Sequence, residues 1–440
     1  MSRGQGFGLS NAARLALVQR LARRREGQEA QAASDQRGFG AIQGLRDWGL
    51  MREAMGALSI ESPFFRAHEG RAGAHSLIGN RDTINFGSYD YLGLNGDPRL
   101  HQAAAAAMAR YGISASASRL VSGERPVHGE LERRLAAHYG QQAALAFVSG
   151  HATNVTVIGH LMGPRDVIVH DAAIHNSCVE GAKLSGARRV SFAHNDARAA
   201  EREMAAVRRS AGRALLLVEG HYSMDGDVPD LAALLQVARK HDAWLMVDDA
   251  HGLGCVGATG KGVFEAAGVD PSEVDIWMGT LSKTLCAAGG YIAARGDLID
   301  WMRHTVPGFV YSVGLSPPLA ASAAAAMDIM AAEPWRVAKL QANSRLFRDL
   351  CRAKGFDTGS SEGLGIVPVV LGSSVRAIRV SAALLEHGVN ALPIVFPAVP
   401  EKLARLRFFL SAEHSEQDVR DAVAALVAAT DGVAPADLAG

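Results

Sequence analysis

Lys283 has the most unusual chemical setting in this sequence. It lies in the segment GTLSKT (residues 279–284), directly after an apolar run and shortly before the small residues AAGG (residues 287–290). Most lysines lie on the protein surface. A lysine that is partly removed from water has a lowered pKa, and its neutral amine can form a Schiff base with a carbonyl compound. The segment therefore indicates a covalent amine site at the end of a buried strand, with an ordinary surface lysine as the alternative.

Asp248 and Asp249 end a second apolar run, WLMV (residues 244–247), and His251 follows them. Side chains alternate along a strand, so the two carboxyl groups point to opposite faces. A carboxylate can pair with a protonated pyridine nitrogen, which keeps the ring cationic and able to accept the electrons of a carbanion. The alternative is an aspartate that caps the following helix. Asp248 and Lys283 are 35 residues apart, about one further strand–helix unit, and this spacing favours the pairing role.

Two more polar turns follow apolar runs. In EGHYSMDGD (residues 219–227), His221 or Ser223 can contact an oxygen of a bound ring or of a substrate, and the Asp-Gly pair is also typical of a turn. In DAAIHNS (residues 171–177), the imidazole of His175 can stack over a flat ring. A histidine that merely begins a helix is an equally good interpretation of that second segment.

A fifth turn, SGHATN (residues 149–154), is predicted to open a helix. Free backbone N–H groups and the positive end of a helix attract a phosphate. Gly150 allows the backbone to approach such a group closely. One turn of this kind is weak evidence, but five turns of complementary chemistry in one chain favour a single site.

These polar segments depend on a regular alternation of strands and helices. Short apolar runs bounded by turn residues are typical of buried strands in a largely parallel sheet, and the helical segments between them predict a layered α/β fold. Ligands of such sheets bind outside the carboxyl ends of the strands, where the polar segments stand. The seven predicted strands are Ala144–Val148, Val167–His170, Val190–Ala193, Ala214–Val218, Trp244–Val247, Ile276–Gly279 and Tyr291–Ala293.

Three parts of the chain differ in pattern. Residues 1–60 are predicted to form a charged helical extension, residues 61–310 a large α/β domain, and residues 311–440 a small α+β C-terminal domain. At the start of the second part, residues 61–80 are predicted to be a connector. The third part is predicted to contain helices from Pro317, near residues 335–354 and from Ser415, with strands near residues 365–371 and 403–409.

Composition limits the class of protein. The 440 residues include 45 basic and 45 acidic side chains, and the resulting zero net charge argues against electrostatic binding of nucleic acid. The four cysteines stand far apart, so we predict reduced thiols and no metal site. No apolar run approaches the length of about 18 residues that spans a bilayer. We predict a cytoplasmic protein, with the mitochondrial matrix as the alternative because residues 1–25 are rich in arginine and lack acids.

The order and spacing of the polar segments resemble those of the α-oxoamine synthases, a family of enzymes that use pyridoxal 5′-phosphate (PLP). The resemblance implies a PLP-dependent transferase of fold type I, with a mainly parallel seven-stranded sheet in the large domain and a small α+β C-terminal domain. It covers roughly residues 60–430 and rests on SYDYLGL (88–94), SRLVSGERPVHGELE (118–132), SGHATN (149–154), DAAIHNS (171–177), AHND (193–196), EGHYSMDGD (219–227), VDDAHGLGCVGATGKG (247–262) and GTLSKT (279–284).

The resemblance implies a role in cofactor binding for most of these segments. Lys283 would hold PLP as a Schiff base and move protons at the substrate Cα, and Asp248 would bind the ring nitrogen. His175 would stack on the ring and engage the substrate carboxylate, and His251 would lie near the ring hydroxyl. These four are the predicted catalytic residues. The other predicted cofactor contacts, including one to the phosphate of a partner subunit, are Ser223, Gly150, His151, Thr280, Ser282 and Ser312.

The resemblance also implies a reaction and its substrates. Arg407 matches an arginine that binds a substrate carboxylate, and Tyr89, Ser118 and His221 are further predicted substrate contacts. An amino acid, with alanine or serine favoured by Ser118 and glycine possible, would condense with an acyl thioester of coenzyme A or of an acyl carrier protein. Carbon dioxide and free thiol would leave, and an α-amino ketone would form. The resemblance implies a homodimer with shared sites. The alternatives are a PLP-dependent aminotransferase and a non-catalytic partner subunit of a synthase heterodimer.

Overall fold

The computed structural model describes residues 38–57 and 62–433, so the arginine-rich residues 1–25 lie outside the described residues. The helices are α1 (Gln43–Ala57), α2 (Pro98–Tyr111), α3 (Pro126–His138), α4 (Gly150–Leu161), α5 (Asn176–Ser185), α6 (Ala197–Val207), α7 (Leu231–Lys240), α8 (Val263–Ala267), α9 (Gly296–Thr305), α10 (Pro307–Val310), α11 (Pro317–Ala332), α12 (Trp335–Ala353), α13 (Ser374–Glu386) and α14 (Glu416–Asp431). The strands are β1 (His75–Ile78), β2 (Arg81–Asn85), β3 (Ala143–Phe147), β4 (Val167–Asp171), β5 (Arg188–Phe192), β6 (Ala214–Glu219), β7 (Trp244–Asp248), β8 (Ile276–Thr280), β9 (Gly290–Ala294), β10 (Ile366–Val370), β11 (Val389–Asn390), β12 (Leu392–Ile394) and β13 (Arg405–Phe409). Within the described ranges, no helix combines the length and the apolar character needed to cross a membrane.

Seven strands form one sheet in the order β3-β9-β8-β7-β6-β4-β5. Strand β9 runs antiparallel to both of its neighbours, and all the other pairs in the sheet are parallel. Each of the seven predicted strands is present within one or two residues of its predicted bounds. The predicted fold with a mainly parallel seven-stranded sheet is therefore confirmed. Its parallel strands bring their carboxyl ends to one edge.

Burial explains why these short runs are strands. All residues of β6 and of β8 are buried, which is the pattern of a sheet that is covered on both faces. Side chains of three helices, represented by Ile158, Cys178 and Ile299, pack with the strand residues in one hydrophobic core. A continuous apolar strand of this kind is favourable only inside a core, so the strands define a rigid layer under the polar turns.

The prediction that residues 61–80 are a connector is wrong. Residues 61–80 are not only a connector, because β1 pairs antiparallel with β2 from His75 opposite Ile84 to Ile78 opposite Arg81. Gly79 and Asn80, at φ 55° and 62°, form the turn between the two strands. Glycine and asparagine favour these positive φ values in tight hairpins. The strand has only four residues, too few for an alternating pattern to stand out.

The chain divides into two compact units. The larger one comprises His68–Val369 and Arg407–Val423 and contains the seven-stranded sheet. The smaller one comprises Val370–Leu406 with the described residues of Met1–Ala67 and Ala424–Gly440. In the smaller unit, Ser381 of α13 donates a hydrogen bond to the carbonyl oxygen of Ala391, between β11 and β12, at 2.6 Å. The predicted small α+β C-terminal part is confirmed, and the predicted domain limits at residues 60 and 310 stay a prediction.

Candidate active site

Most of the predicted cofactor residues meet in a cleft at the carboxyl edge of the sheet. The cleft is open to solvent, and the space within it and at its mouth is about 380 Å³. Glu219, Asp248 and Thr280 are the last residues of β6, β7 and β8, so three neighbouring strands contribute their ends to it. The lining residues are Gly150, His151, Asn154, His175, Ser177, Glu219, Asp248, Ala250, His251, Met278, Thr280 and Lys283.

Lys283 stands in the turn between β8 and β9. The backbone N–H of Cys286 donates to the Lys283 carbonyl oxygen at 2.9 Å and closes this turn. The Lys283 Nζ atom lies 5.8 Å from the centroid of the Tyr89 ring. Burial in the cleft lowers the pKa of Lys283 to about 8, although the nearby Asp248 and Glu219 carboxyl groups oppose the shift. A neutral amine is therefore accessible close to neutral pH, as Schiff-base formation requires.

Two carboxyl groups from neighbouring strands face the same cleft. Asp248 and Glu219 are partners in the parallel register of β6 and β7, and both are buried. Asp248 Oδ2 accepts from Asn154 Nδ2 at 2.7 Å, and Oδ1 accepts from the Ala250 N–H at 3.1 Å. Glu219 Oε2 accepts from the Ser223 N–H at 3.0 Å, and burial, followed by the charge of Asp248, raises the pKa of Glu219 to about 8. The cleft thus holds one carboxyl group fixed by two donors beside a second that stays largely protonated at pH 7.

His175 is fixed by the first turn of α5. The N–H of Ser177 donates to its Nδ1 atom at 3.2 Å, and the Ser177 hydroxyl oxygen lies 2.7 Å from the same nitrogen. The rings of His175 and His151 have centroids 6.4 Å apart and are nearly perpendicular. Burial lowers the pKa of His175, although Asp248 opposes the shift. The neutral imidazole carries its proton on Nε2, because Nδ1 accepts a backbone N–H.

His251 is held from two sides. The Tyr91 hydroxyl lies 2.7 Å from its Nδ1 atom, and the Nδ1 atom of the buried His221 lies 3.0 Å from its carbonyl oxygen. Burial and, next, the positive charge of Lys283 lower the pKa of His251 well below its usual range. Since Tyr91 occupies Nδ1, Nε2 is the nitrogen that the neutral ring offers to the cleft. His221 lies behind His251 and does not line the cleft.

Helix α4 begins at Gly150 on the cleft wall. A Cβ atom at this position would lie 2.8 Å from Thr280 Oγ1, so the close approach needs glycine. The Thr280 hydroxyl donates to the Gly289 carbonyl oxygen at 3.0 Å and accepts from the Ser282 N–H at 3.2 Å. These contacts join the start of α4 to the turn that carries Lys283. Backbone N–H groups at the start of a helix are suited to a phosphate.

An ion cluster joins the turns that carry His175 and Ser223. His194 Nδ1 lies 2.9 Å from Asp171 Oδ1, and its Nε2 lies 3.2 Å from Asp227 Oδ2. Burial opposes a charge on His194, but the two aspartates outweigh burial and raise the pKa of His194 to about 10. His194 is therefore cationic at neutral pH and ties the segment after β4 to the turn after β6.

Several predicted residues do not line the cleft. Arg407 donates from Nη1 to the Ser223 carbonyl oxygen at 2.7 Å, and Ser223 approaches the cleft through its N–H bond to a lining residue. The Ser118 hydroxyl donates to the carbonyl oxygen of Val310 at 2.7 Å. Ser312 lines a separate, smaller cavity. In the single chain, Ser118 and Ser312 are therefore not brought to the residues around Lys283.

Four contributors to the site were not identified from the sequence: Tyr91, Asn154, Ser177 and Glu219. All four lie within the segments that were singled out, but other residues in those segments had the more obvious chemistry. A signal was present for Asn154, because it follows Gly150 by four residues on a helix and therefore shares its face. Glu219 had a comparable signal as the last residue of a strand, next to the strand that ends at Asp248.

Comparison with known proteins gives independent information on this chain. The family model described as aminotransferase class I and II matches residues 81–426. An 8-amino-7-oxononanoate synthase of Geobacter metallireducens is 42% identical over 366 residues, which are 83% of this chain and 93% of that protein. The structure of a Sphingomonas wittichii serine palmitoyltransferase has a TM-score of 0.85 at 30% identity and covers 89% of this chain and 99% of its own. The chain belongs to the α-oxoamine synthase family.

As an α-oxoamine synthase, the protein is a PLP-dependent acyltransferase, and the predicted family, fold type and cofactor are confirmed. Structural relatives have been solved with PLP. One of them is a serine palmitoyltransferase of S. paucimobilis with a bound PLP–myriocin aldimine, at a TM-score of 0.85 and 28% identity, covering 90% of this chain and 99% of that one.

The cleft of this α-oxoamine synthase fits PLP in four respects. The Lys283 amine suits the aldehyde of PLP, and the Asp248 carboxyl group suits its ring nitrogen. The backbone N–H groups at the start of α4, beside Gly150 and Thr280 on the cleft wall, suit a phosphate. Glu219 Oε1 is buried and has no hydrogen-bond partner among the described residues, which indicates that a polar group of a ligand reaches it.

Proposed function

We propose that this enzyme joins an amino acid, alanine or serine in preference to glycine, to an acyl thioester with loss of CO2. The products are an α-amino ketone and a free thiol. The observation that carries the proposal is the meeting of Lys283, Asp248, His175 and His251 in one cleft at the ends of parallel strands. The family places the cofactor in this protein, and these residues are the ones whose chemistry the reaction needs.

Lys283 is proposed to hold the cofactor and to move the proton of the substrate Cα. Its pKa of about 8 allows the amine both to accept and to donate a proton near neutral pH, where general acid–base catalysis is most efficient. When bound, PLP supplies a cationic ring that accepts the electron pair left on Cα. Asp248, fixed by two N–H donors, is proposed to bind the ring nitrogen and so maintain that charge.

The substrate is proposed to be oriented by donors around this centre. His175 offers Nε2–H to the cleft, and the neutral His251 offers its own Nε2. Arg407 uses Nη1 for the Ser223 carbonyl oxygen, and its Nε atom is without a partner in the described part of the chain. A guanidinium with donors in reserve is suited to a carboxylate. Arg407 is therefore the proposed ligand of the amino-acid carboxylate.

A second copy of the chain is the proposed partner, because a cluster of large apolar side chains is exposed beside Ser312. Val121 and Tyr311 keep 81% and 87% of their surface exposed. Their two segments are joined, since the Gly314 N–H donates to the Ala117 carbonyl oxygen at 2.9 Å. Exposed apolar patches of this kind mark interfaces between subunits. In the homodimer, Ser312 would reach the partner's phosphate, and Ser118 would come close to an amino acid.

The thioester is proposed to be carried by coenzyme A or by an acyl carrier protein, and the enzyme is proposed to work in the cytoplasm. The sequence relative reported above, from Geobacter metallireducens, is bacterial, which lends no support to the mitochondrial alternative. The preference for serine or alanine rests on Ser118 and agrees with the name of the solved neighbours, serine palmitoyltransferase.

The test is a matrix of amino acids against acyl thioesters. Each pair of substrates is scored by the release of free thiol and of CO2, which should appear in equal amounts. Lys283→Ala should abolish both, whereas Lys261→Ala, at an exposed lysine outside this cleft, should retain them. Transfer of the amino group to a keto acid without thiol release would instead identify an aminotransferase. No turnover in any combination, with PLP bound, would favour a non-catalytic subunit.

A further inference from the structure

Asn154 lies between two of the proposed catalytic residues. Its Nδ2 atom is 2.7 Å from Asp248 Oδ2 and 3.0 Å from the Ser177 hydroxyl oxygen. The same hydroxyl lies 2.7 Å from Nδ1 of His175. One amide group therefore connects, in two directions, the carboxyl group proposed for the ring nitrogen and the imidazole proposed for the ring face.

The donor and the acceptor of each hydrogen bond between Asp248, Asn154, Ser177 and His175 follow from the chemistry of their groups. A backbone N–H can only donate, so the bond from the Ser177 N–H makes Nδ1 of His175 an acceptor. The Ser177 hydroxyl must then donate to Nδ1 and accept from the Asn154 amide. The second amide hydrogen is directed at Asp248, and a flipped amide would instead place an oxygen against that carboxyl group. The orientation of Asn154 is therefore determined from both ends.

Two features indicate that this arrangement is specific. Both Asn154 and Ser177 are almost completely buried, and Asn154 Oδ1 has no partner among the described residues. A buried acceptor without a partner costs free energy, and the two hydrogen bonds that Nδ2 donates offset this cost. Helices α4 and α5 also approach closely, because a Cβ atom at Gly181 would lie 2.7 Å from the Asn154 carbonyl oxygen.

We propose that Asn154 is a positioning residue that orients Asp248 and, through Ser177, His175, so that both are set by one amide group. The inference rests on the proposed roles of Asp248 and His175 and adds to them a residue that needs no contact with the substrate. Through this relay, His175 keeps its proton on Nε2 and its ring plane fixed. Asp248 keeps one oxygen bound and its plane set for the ring nitrogen.

The experiment measures two binding constants. The first is the affinity of cofactor-free protein for PLP, and the second is the amino-acid concentration that half-saturates the change in visible absorption when L-serine or L-alanine binds. Asn154→Ala should weaken PLP binding about tenfold to a hundredfold, as expected for a lost hydrogen bond to a charged group, and should also weaken amino-acid binding. Ser177→Ala should weaken amino-acid binding several-fold and should weaken PLP binding less than Asn154→Ala does, because it disturbs the histidine branch and leaves the hydrogen bond to Asp248 in place. Ser177→Thr, which keeps the hydroxyl, should behave like the wild type.

The double variant tests the connection itself. Because Asn154 orients the Ser177 hydroxyl, the combined Asn154→Ala and Ser177→Ala substitutions should affect amino-acid binding no more than Asn154→Ala alone. Fully additive effects of the two substitutions on amino-acid binding would overturn the proposed connection between Asn154 and His175. If Asn154→Ala does not fold, an unchanged amino-acid affinity in Ser177→Ala would overturn it equally.

Matched controls separate positioning from loss of stability. Asn343→Ala removes another buried amide that donates to two acceptors, the Ser411 and His414 carbonyl oxygens at 3.1 and 2.8 Å. It should leave PLP affinity unchanged, and an effect as large as that of Asn154→Ala would contradict the proposal.

Asp248→Asn separates a failure of the proposed function of Asp248 from a failure of the positioning role of Asn154. If Asp248→Asn does not weaken PLP binding, the proposed function of Asp248 fails, whereas if it does and Asn154→Ala does not, only the positioning role fails.

Discussion

The lowered pKa of Lys283 leads to a quantitative prediction for the rate at which cofactor-free protein binds PLP covalently. Burial places this pKa at about 8, compared with the ordinary lysine value of 10.5. At pH 7, the neutral fraction of the amine is then about 9%, against about 0.03% for a lysine in water. The structure therefore predicts about three-hundredfold more reactive amine than an exposed lysine would offer.

The assay follows the visible absorption of the protein after mixing with PLP at a series of pH values. The observed rate should rise about tenfold per pH unit below pH 8 and level off above it, because the amine is then already neutral. Nα-acetyl-lysine in the same buffers corrects for the titration of PLP itself. Lys283→Ala should give no covalent signal, whereas Lys261→Ala should match the wild type. A rate that continues to rise tenfold per unit beyond pH 9.5 would refute the claim that the cleft desolvates this amine.

Three further predictions concern pH and packing. Burial raises the pKa of Glu219 from 4.5 to about 8. The free energy of unfolding of the wild-type protein should therefore fall by up to about 5 kcal/mol as the pH rises from about 4.5 through about 8. Glu219→Gln should reduce this dependence of stability on pH, measured by thermal unfolding of cofactor-free protein. An unchanged slope would show that Glu219 ionises freely. The pKa of His194 is raised to about 10 despite burial, so its contribution is complete below pH 6.5 and is lost as the pH rises through about 10. The deficit in melting temperature of His194→Gln should therefore be largest near pH 6 and should disappear above pH 10, and a deficit independent of pH would contradict the ion-pair account. Gly150→Ala should weaken PLP binding about tenfold to a hundredfold, because its Cβ atom would lie 2.8 Å from Thr280 Oγ1, whereas Gly159→Ala on the same helix should not.

The architecture of the larger unit was predictable because its strands are buried and apolar along their whole length. The runs Ala214–Glu219 and Ile276–Thr280 have this character, and both were located within one residue. The alternation at the end of β7 was also predictable. Asp248 faces the cleft, and Asp249 points to the other side, where the Tyr139 hydroxyl donates to it at 3.4 Å. In both cases a local sequence pattern determines the feature, which is the position of the strand or the direction of the side chain.

What could not be predicted depends on contacts between segments that are far apart in the sequence. The bond between Asn154 and Asp248 joins residues 94 positions apart, and the bond between Tyr91 and His251 joins residues 160 apart. No periodicity encodes such a pair. The four-residue strand β1 was missed for another reason, since an edge hairpin of this length has too few residues to show a pattern. The proposed roles of Ser118 and Ser312 stay predictions, because they require a second subunit.

We expect the antiparallel strand β9 to limit when this enzyme can first acquire its cofactor during synthesis. Among the described strands, β3 is at the edge of the sheet and pairs only with β9, from Ala143 opposite Ala294 to Phe147 opposite Gly290. Helix α4, with Gly150 and Asn154, follows directly after β3. A ribosome-bound chain that ends before residue 290 has therefore made every residue of the cleft, Lys283 included, but has no neighbour that anchors β3 to the sheet. Stalled chains of increasing length should capture PLP only once β9 has left the exit tunnel.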